Sequence, residues 1–152
     1  MDHKTSLTQH VNAPAEKVWA VISDIPGSAT TLSGIDSVQM LSGGPYGEGT
    51  RWKETRTMMG RSETVEMWVA QAEPPRSTTV KAVQGGADYT SRFTLAERDG
   101  GTDLTVTFGA EIRNPSRVGK LAMALFGKLG MRITRRALAR DLADIAAKAE
   151  AL

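Results

Sequence analysis

The spacing of apolar and polar residues changes early in the chain from a strand-like to a helical period. Residues 5–11 alternate, with Leu7, Gln9 and Val11 on one side, which is typical of a half-buried strand. Pro14 then opens a helical period, because the N–H that proline lacks would have no partner in the first helical turn. The helix is expected to end before Pro26, and residues 28–32 to form a second short helix.

The segment from residue 38 to residue 112 alternates with a period of two and is interrupted by turn sequences. We predict strands over 38–41, 49–57, 62–72, 77–83, 87–96 and 102–112. Asp99-Gly100-Gly101 predicts a tight hairpin. Closely spaced turns favour an antiparallel meander over units in which helices join parallel strands. One face of this sheet is apolar and therefore requires a cover.

The C-terminal segment has the pattern of that cover. Asn114 suits a helix N-cap, and Pro115 suits the first helical position. Apolar residues then recur at intervals of three and four as far as Ala149, which predicts one long amphipathic helix. Residues 1–152 are thus predicted to form a single α+β domain. Its curved antiparallel sheet of about seven strands, two short helices and long C-terminal helix would enclose a cavity.

Composition and charge narrow the function classes. The 152 residues are 40% hydrophobic and 24% charged, as is ordinary for a globular domain, and include no cysteine that could form a disulfide or bind a metal. A net charge of only +2, with no basic-aromatic motif, argues against nucleic-acid binding. No apolar run approaches the ~18 residues needed to insert stably in a membrane. The N-terminus lacks an apolar signal segment, and we expect a cytoplasmic protein.

Several short motifs resemble those of one protein superfamily. They are Asn-Ala-Pro-Ala-Glu-Lys-Val-Trp at 12–19, Ile-Ser-Asp at 22–24, the glycine-rich entry to a strand at 47–52, the Pro-Pro-Arg turn at 72–76, and Gly-Thr at 101–102. Their order resembles the START/polyketide cyclase-like (SRPBCC) superfamily, which includes Bet v 1-like proteins. The resemblance covers essentially the whole chain and implies a helix-grip fold. Its members include lipid carriers, polyketide cyclases, hormone receptors and chaperone regulators, so fold alone does not fix function.

The stretch from Trp52 to Arg56 carries the most suggestive chemistry. If Trp52 faces the cavity, alternation places Glu54 and Arg56 there too. Charged groups in an apolar cavity need each other or a polar ligand. Both could hold a ligand's polar head, or Arg56 could stabilise an enolate while Glu54 moves a proton, which makes these two the candidate catalytic residues. A structural ion pair, or the opposite register with both in solvent, is the alternative.

The candidate ligand-binding residues are those predicted to face the cavity from the strands and the long helix. They are Trp52, Glu54, Arg56, Met67, Val69, Tyr89, Ser91, Phe93, Val106, Phe108, Leu121 and Leu125. Methionines in apolar positions are more often core filling than ligand contacts. His3 and His10 have no third ligand at metal-site spacing, so we predict neither a metal site nor a cofactor.

Three function classes remain, and we rank them by what each requires. A binding protein or carrier for a hydrophobic small molecule, lipid-like or polyketide-like, needs only the cavity and a few polar anchors. A polyketide cyclase/dehydratase-type enzyme needs catalytic groups as well. An interaction or regulatory protein, or a homodimer, would use the outward Trp68 or the basic face of the long helix. We expect that face, with Lys128, Arg132, Arg135, Arg136 and Arg140, to be solvated, because the charged residues Asp141 and Asp144 follow closely.

Overall fold

The architecture is a seven-stranded antiparallel sheet with a long C-terminal helix packed against it. The computed structural model describes residues 2–58, 60–113 and 128–152. The strands of this part of the chain are β1 (Asp2–Val11), β2 (Ile35–Met40), β3 (Arg51–Met58), β4 (Arg61–Glu73), β5 (Ser77–Gln84), β6 (Ala87–Arg98) and β7 (Gly101–Ile112). The helices are α1 (Ala15–Ile22), α2 (Ser28–Thr31) and α3 (Lys128–Glu150). The predicted α+β class and order of elements are confirmed.

The sheet follows the predicted meander, with the first strand added at its far edge. The strand order is β1-β7-β6-β5-β4-β3-β2, and neighbouring strands pair antiparallel. At the β6–β7 hairpin, Asp99 and Gly100 have φ angles of +52° and +77°. Two consecutive left-handed residues match the right-handed twist of the flanking strands. The hairpin expected at this position is therefore confirmed.

A core of buried residues lies where β1 ends and α1 begins, with further members on β6, β7 and α3. Pro14 precedes α1 with a φ of −67°, as its ring requires. From there α1 buries Val18 against β7 and α3. The buried side chains of this cluster include Val11, Val18, Leu104, Leu142 and Ile145. Because both helices and three strands contribute, the core fixes the end of α3 against the sheet.

Polar contacts hold α3 to the α1 and α2 side of the molecule. Asp144 accepts hydrogen bonds from the backbone N–H of Ser33 at 2.9 Å and from its hydroxyl at 2.8 Å. Lys17 Nζ donates to the carbonyl oxygen of Leu152 at 2.8 Å. The carboxylate of Glu150 accepts the backbone N–H of Asn12, also at 2.8 Å. The C-terminal half of the long helix thus has fixed partners along its length.

Two sequence expectations differ from the structure or lie beyond it. Strand β2 begins at Ile35 rather than at Val38, because Ile35 is buried and pairs with Arg56 of β3. The beginning of the predicted long helix, with Leu121 and Leu125, lies outside the described residues. Among the helices that the structure describes, none is both long and apolar enough to cross a membrane.

Candidate functional site

A cavity lies between the concave face of the sheet and the helices. Its volume is about 260 Å³, close to the lower limit of the ~300–1,000 Å³ usual for small-molecule sites. Strands β3 to β7 supply one wall, and the other comes from α1, the α2 region and α3. The sequence-predicted residues on its wall are Trp52, Glu54, Arg56, Met67, Tyr89, Ser91, Phe93, Val106 and Phe108. These side chains come from separate strands and meet because alternation points all of them inward.

Val69 is placed differently from the other predicted strand residues. Its side chain is only 1% exposed and packs in a cluster with Ile25 and Trp52. Those two residues line the cavity, whereas Val69 does not. The β4–β5 register also shifts between Val69 and Gln71. Val69 therefore lies in the packed core beside the cavity and not on its wall.

The register of β3 places its charged residues inside. Trp52 is opposite Met67 of β4, and Glu54 is opposite Val65. Trp52 and Glu54 are 2% and 9% exposed, whereas Lys53 between them is exposed. A carboxylate this well buried needs a partner, since leaving it unpaired would be strongly unfavourable.

That partner is Arg56, which is shared by two carboxylates. Arg56 Nε donates to Glu54 Oε2 at 2.7 Å. Its Nη1 and Nη2 donate to Asp141 Oδ1 and Oδ2 of α3, at 3.2 and 2.9 Å. We call Glu54, Arg56 and Asp141 the inner cluster. With both carboxylates ionised it has a formal charge of −1.

Burial and the neighbouring charges together shift the pKa values of Asp141 and Arg56. Burial raises the pKa of Asp141; Arg56 opposes this, and the charges of Glu54 and Asp144 add to it. For Arg56, burial favours the neutral form, but Glu54 and Asp141 outweigh it and hold its pKa above the ordinary arginine value. Arg56 is therefore always cationic, and Asp141 is the carboxylate that accepts a proton more readily than an ordinary aspartate.

Asp141 is the functional candidate that sequence reasoning missed. The sequence interpretation placed it with the charged residues of a solvated helix face. In the structure its side chain is only 14% exposed and reaches across the cavity to β3. Its spacing contained the necessary signal, because Asp141 lies three residues after Leu138 and four before Ile145, on the apolar stripe of the helix.

Comparison with protein families identifies the family of nearly the whole chain. A family model described as polyketide cyclase/dehydrase and lipid transport matches residues 2–150. The chain belongs to this polyketide cyclase/dehydrase and lipid transport family. This match confirms the predicted superfamily. Because the family binds hydrophobic small molecules, it also confirms the predicted general function of binding such a molecule. No curated protein matches the sequence significantly.

Solved structures support the same fold at low sequence identity. The ZhuI aromatase/cyclase of Streptomyces sp. R1128 has a TM-score of 0.82 and 19% identity, over 99% of this chain and 94% of that one. The protein TTHA0849 of Thermus thermophilus has a TM-score of 0.79 and 16% identity, over 98% of both chains. A START superfamily protein of Mycobacterium smegmatis has a TM-score of 0.76 and 16% identity, over 97% of both. The helix-grip fold is thereby confirmed.

Two tyrosines add neutral polar groups to the cavity of this family member. Tyr89 stacks on Phe108, with ring centroids 6.1 Å apart. The Tyr46 hydroxyl shares a 2.6 Å hydrogen bond with the hydroxyl of Thr78. Burial raises the pKa of both tyrosines. Both phenols therefore stay protonated at neutral pH and offer hydrogen-bonding groups without charge.

On the outer face of the sheet, the aromatic residue Trp68 packs against an arginine instead of lining the cavity. The Arg51 guanidinium lies 5.4 Å from the ring centroid of Trp68, the residue opposite it on β4, so the outward aromatic already has an intramolecular contact. On α3, the side chains of Arg132, Arg135, Arg136 and Arg140 are exposed, as expected for a solvated face.

Within residues 2–58, 60–113 and 128–152, no three His, Asp or Glu side chains gather as metal ligands would.

Proposed function

We propose that this protein binds and carries a hydrophobic small molecule in the cavity, without transforming it. The observation that carries the proposal is the pairing of the inner cluster. The described part of the cavity wall is largely apolar, and the one cation in it whose side chain is mostly buried, Arg56, is already held by two carboxylates at 2.7–3.2 Å. Such a cavity offers burial and a few fixed polar contacts, which is what a carrier requires.

The pairing argues against Arg56 as the group that stabilises an enolate. Oxyanion stabilisation needs donors aimed at the position where negative charge develops. Three N–H groups of Arg56 are already directed at Glu54 and Asp141. An enolate formed beside Arg56 would also meet two neighbouring negative charges. The arrangement therefore favours the structural ion-pair interpretation of Glu54 and Arg56 over the catalytic one.

We assign the ligand contacts to the aromatic and apolar wall. Met67, Phe93, Val106 and Phe108 supply apolar surface, and Tyr89 and Ser91 supply neutral polar groups. Trp52 closes the wall beside Ile25. On this assignment the inner cluster is the polar end of the site.

A second candidate function is a cyclase/dehydratase activity, and one observation favours it. Asp141 is a largely buried carboxylate on the cavity wall whose pKa is raised by burial. A carboxyl group with a raised pKa holds a proton more readily than an ordinary aspartate, which favours a role in general acid or base catalysis. In that case Asp141→Asn would abolish turnover while leaving ligand affinity nearly unchanged. In a carrier, the same change alters affinity only.

We further propose that residues 1–152 act as a single cytoplasmic domain that does not bind nucleic acid. A homodimer formed through the outer face of the sheet would use Trp68, which already packs with Arg51. Size-exclusion chromatography with light scattering would show such a dimer, and Trp68→Ala would dissociate it while leaving ligand binding intact.

Native mass spectrometry on protein purified from its host cells tests the proposed function. We expect a near-stoichiometric apolar molecule that is released, chemically unchanged, on denaturation. Protein without any bound molecule, together with no shift of Tm across a panel of fatty alcohols, fatty acids and polyketides, would contradict the proposal.

A further inference from the structure

We propose that the cavity selects hydrophobic ligands whose polar end is a hydrogen-bond donor or a cation, such as an alcohol, a phenol or an amine, and discriminates against carboxylates. This inference rests on the proposed function and names the ligand class of the same site. It follows from the charge and the geometry of the inner cluster.

The inner cluster has more negative than positive charge. Glu54 and Asp141 each carry a carboxylate, and within the part of the chain that the structure describes Arg56 is the only cation that forms an ion pair with either of them. Their side chains are 10%, 14% and 24% exposed, respectively, for Glu54, Asp141 and Arg56. Solvent screens such groups weakly, so a ligand's anionic head would meet this net charge in a medium of low dielectric constant.

Hydrogen-bonding capacity points in the same direction. Each ionised carboxylate has about four lone-pair positions, of which Arg56 occupies one on Glu54 and two on Asp141. Counting the contacts among the described residues, the two carboxylates therefore keep more acceptor positions than the two donor positions left on the guanidinium. A hydroxyl or an ammonium group can use these acceptors, whereas a carboxylate has no proton to donate.

The other cations that the structure describes beside the cavity, Arg61 and Lys81, do not reverse this balance. Arg61 is 54% exposed and lies 3.7 Å from Glu63, which neutralises it at the rim. Lys81 is exposed and stands opposite Trp68, on the outward-facing positions of the sheet. Solvent screens both cations, so neither compensates the inner cluster.

A displacement assay with matched ten-carbon ligands tests the inference. The uncharged fluorophore N-phenyl-1-naphthylamine is first bound to the wild-type protein at about pH 7.5. Decan-1-ol, decylamine and decanoate, which share one alkyl chain and differ in the polar end, are then used to displace it. We expect decanoate to bind at least about tenfold more weakly than decan-1-ol or decylamine, since a like charge at short range in a partly buried site has at least this effect.

Charge variants identify the source of the discrimination. Asp141→Asn removes one negative charge, and we expect the ratio of decylamine to decanoate affinity to fall about tenfold. Glu54→Gln removes the same charge from the opposite side of Arg56 and replaces the first variant if that one does not fold. Glu66→Gln is the matched control, because Glu66 is an exposed residue on the outer face, 3.9 Å from Arg51. The control should leave the ratio unchanged.

The outcomes separate the inference from the function on which it rests. Decanoate binding as tightly as decan-1-ol would overturn the inference and leave the carrier function standing. An unchanged affinity ratio in a folded Asp141→Asn or Glu54→Gln variant would overturn the role of the inner cluster. If neither the fluorophore nor any ten-carbon ligand binds, the proposed function fails and the inference fails with it.

Discussion

The two faces of the sheet each contain an arginine bonded to aspartate, and the two pairs behave differently. On the inner face, Arg56 contacts Asp141 at 2.9 Å. On the outer face, Arg98 contacts Asp103 at 2.6 Å, and His10 contacts the same carboxylate at 2.8 Å. We call His10, Arg98 and Asp103 the outer cluster. The pKa of Asp141 is raised, chiefly by burial, whereas the pKa of Asp103 is lowered, chiefly by its hydrogen bond from Arg98.

Solvent exposure, rather than contact distance, accounts for this difference. The Arg98 side chain is 57% exposed, whereas that of Arg56 is 24% exposed. Water solvates the outer charges, so the pairing there adds little. The inner charges depend on each other, which makes the inner cluster a structural requirement and a source of ligand selectivity at once.

Removing each arginine gives the largest expected contrast between the two clusters. Arg56→Met leaves Glu54 and Asp141 buried without a cation, and we expect a loss of about 3 kcal/mol in the free energy of unfolding. Arg98→Met, the matched control, should cause a much smaller loss because water replaces the missing contacts. Urea unfolding of both variants measures the difference, and equal losses would refute the contrast.

A bulky side chain should weaken ligand binding when it is introduced on the inner face of the sheet, but not when it is introduced on the outer face. Ser91 lines the cavity, and its neighbour Thr90 is on the opposite face of β6. We expect Ser91→Phe to weaken binding of an apolar ligand by at least about tenfold, or ~1.4 kcal/mol, because the new ring occupies the ligand's space. Thr90→Phe should bind as the wild type does. Fluorophore titration measures both, and unimpaired binding by a folded Ser91→Phe variant would place the ligand elsewhere.

High salt should weaken the interaction energy of the outer arginine–aspartate pair more than that of the inner pair. Double-mutant cycles of Arg56 with Asp141 and of Arg98 with Asp103 isolate the two coupling energies. We expect the inner coupling to persist at about 1 M salt and the outer coupling to be largely lost, since the Debye length is then ~3 Å. If high salt abolished the coupling energy of both pairs, dissolved ions would have access to the inner cluster, which would contradict its assignment as a buried site.

The pH dependence of the two aspartates should have opposite signs. Because the pKa of Asp141 is raised on folding, its contribution makes the free energy of unfolding fall as pH rises from the unfolded value of ~3.9 through its folded pKa. The lowered pKa of Asp103 gives stability that is present above ~3.9 and is lost as pH falls through its folded pKa. Carbon-13 NMR titration of the side-chain carboxyls measures both. Asp141 titrating below Asp103 would contradict the assignment.

The sequence predicted the fold well because period and turn chemistry are local. The Asp99-Gly100 turn, the proline before α1 and the alternation of β6 and β7 each specify their element without distant contacts. The motif order also identified the family. Strand ends were less accurate, as at Ile35, where burial by distant residues extends β2.

The site was only partly predictable, because two of its features depend on packing between distant segments. Asp141 meets Arg56 across 85 positions of sequence, and its charge favoured a solvated interpretation. Val69 is two residues after Met67 on β4, so alternation predicts the same inward face for both. The local sequence does not show that Ile25 and Trp52 line the cavity whereas Val69 does not. Alternation thus predicts which face a residue is on, but not whether it reaches the cavity.

The most direct test of the central claim is an NMR measurement of where an apolar ligand lies. Intermolecular NOEs from decan-1-ol to carbon-13-labelled methionine methyl groups distinguish the cavity from other surfaces. Met67 lines the cavity, whereas Met40 packs beside Trp52 without lining it. We predict strong NOEs to Met67 and none to Met40. Binding that produces no NOE to Met67 would contradict the account of this cavity as the ligand site.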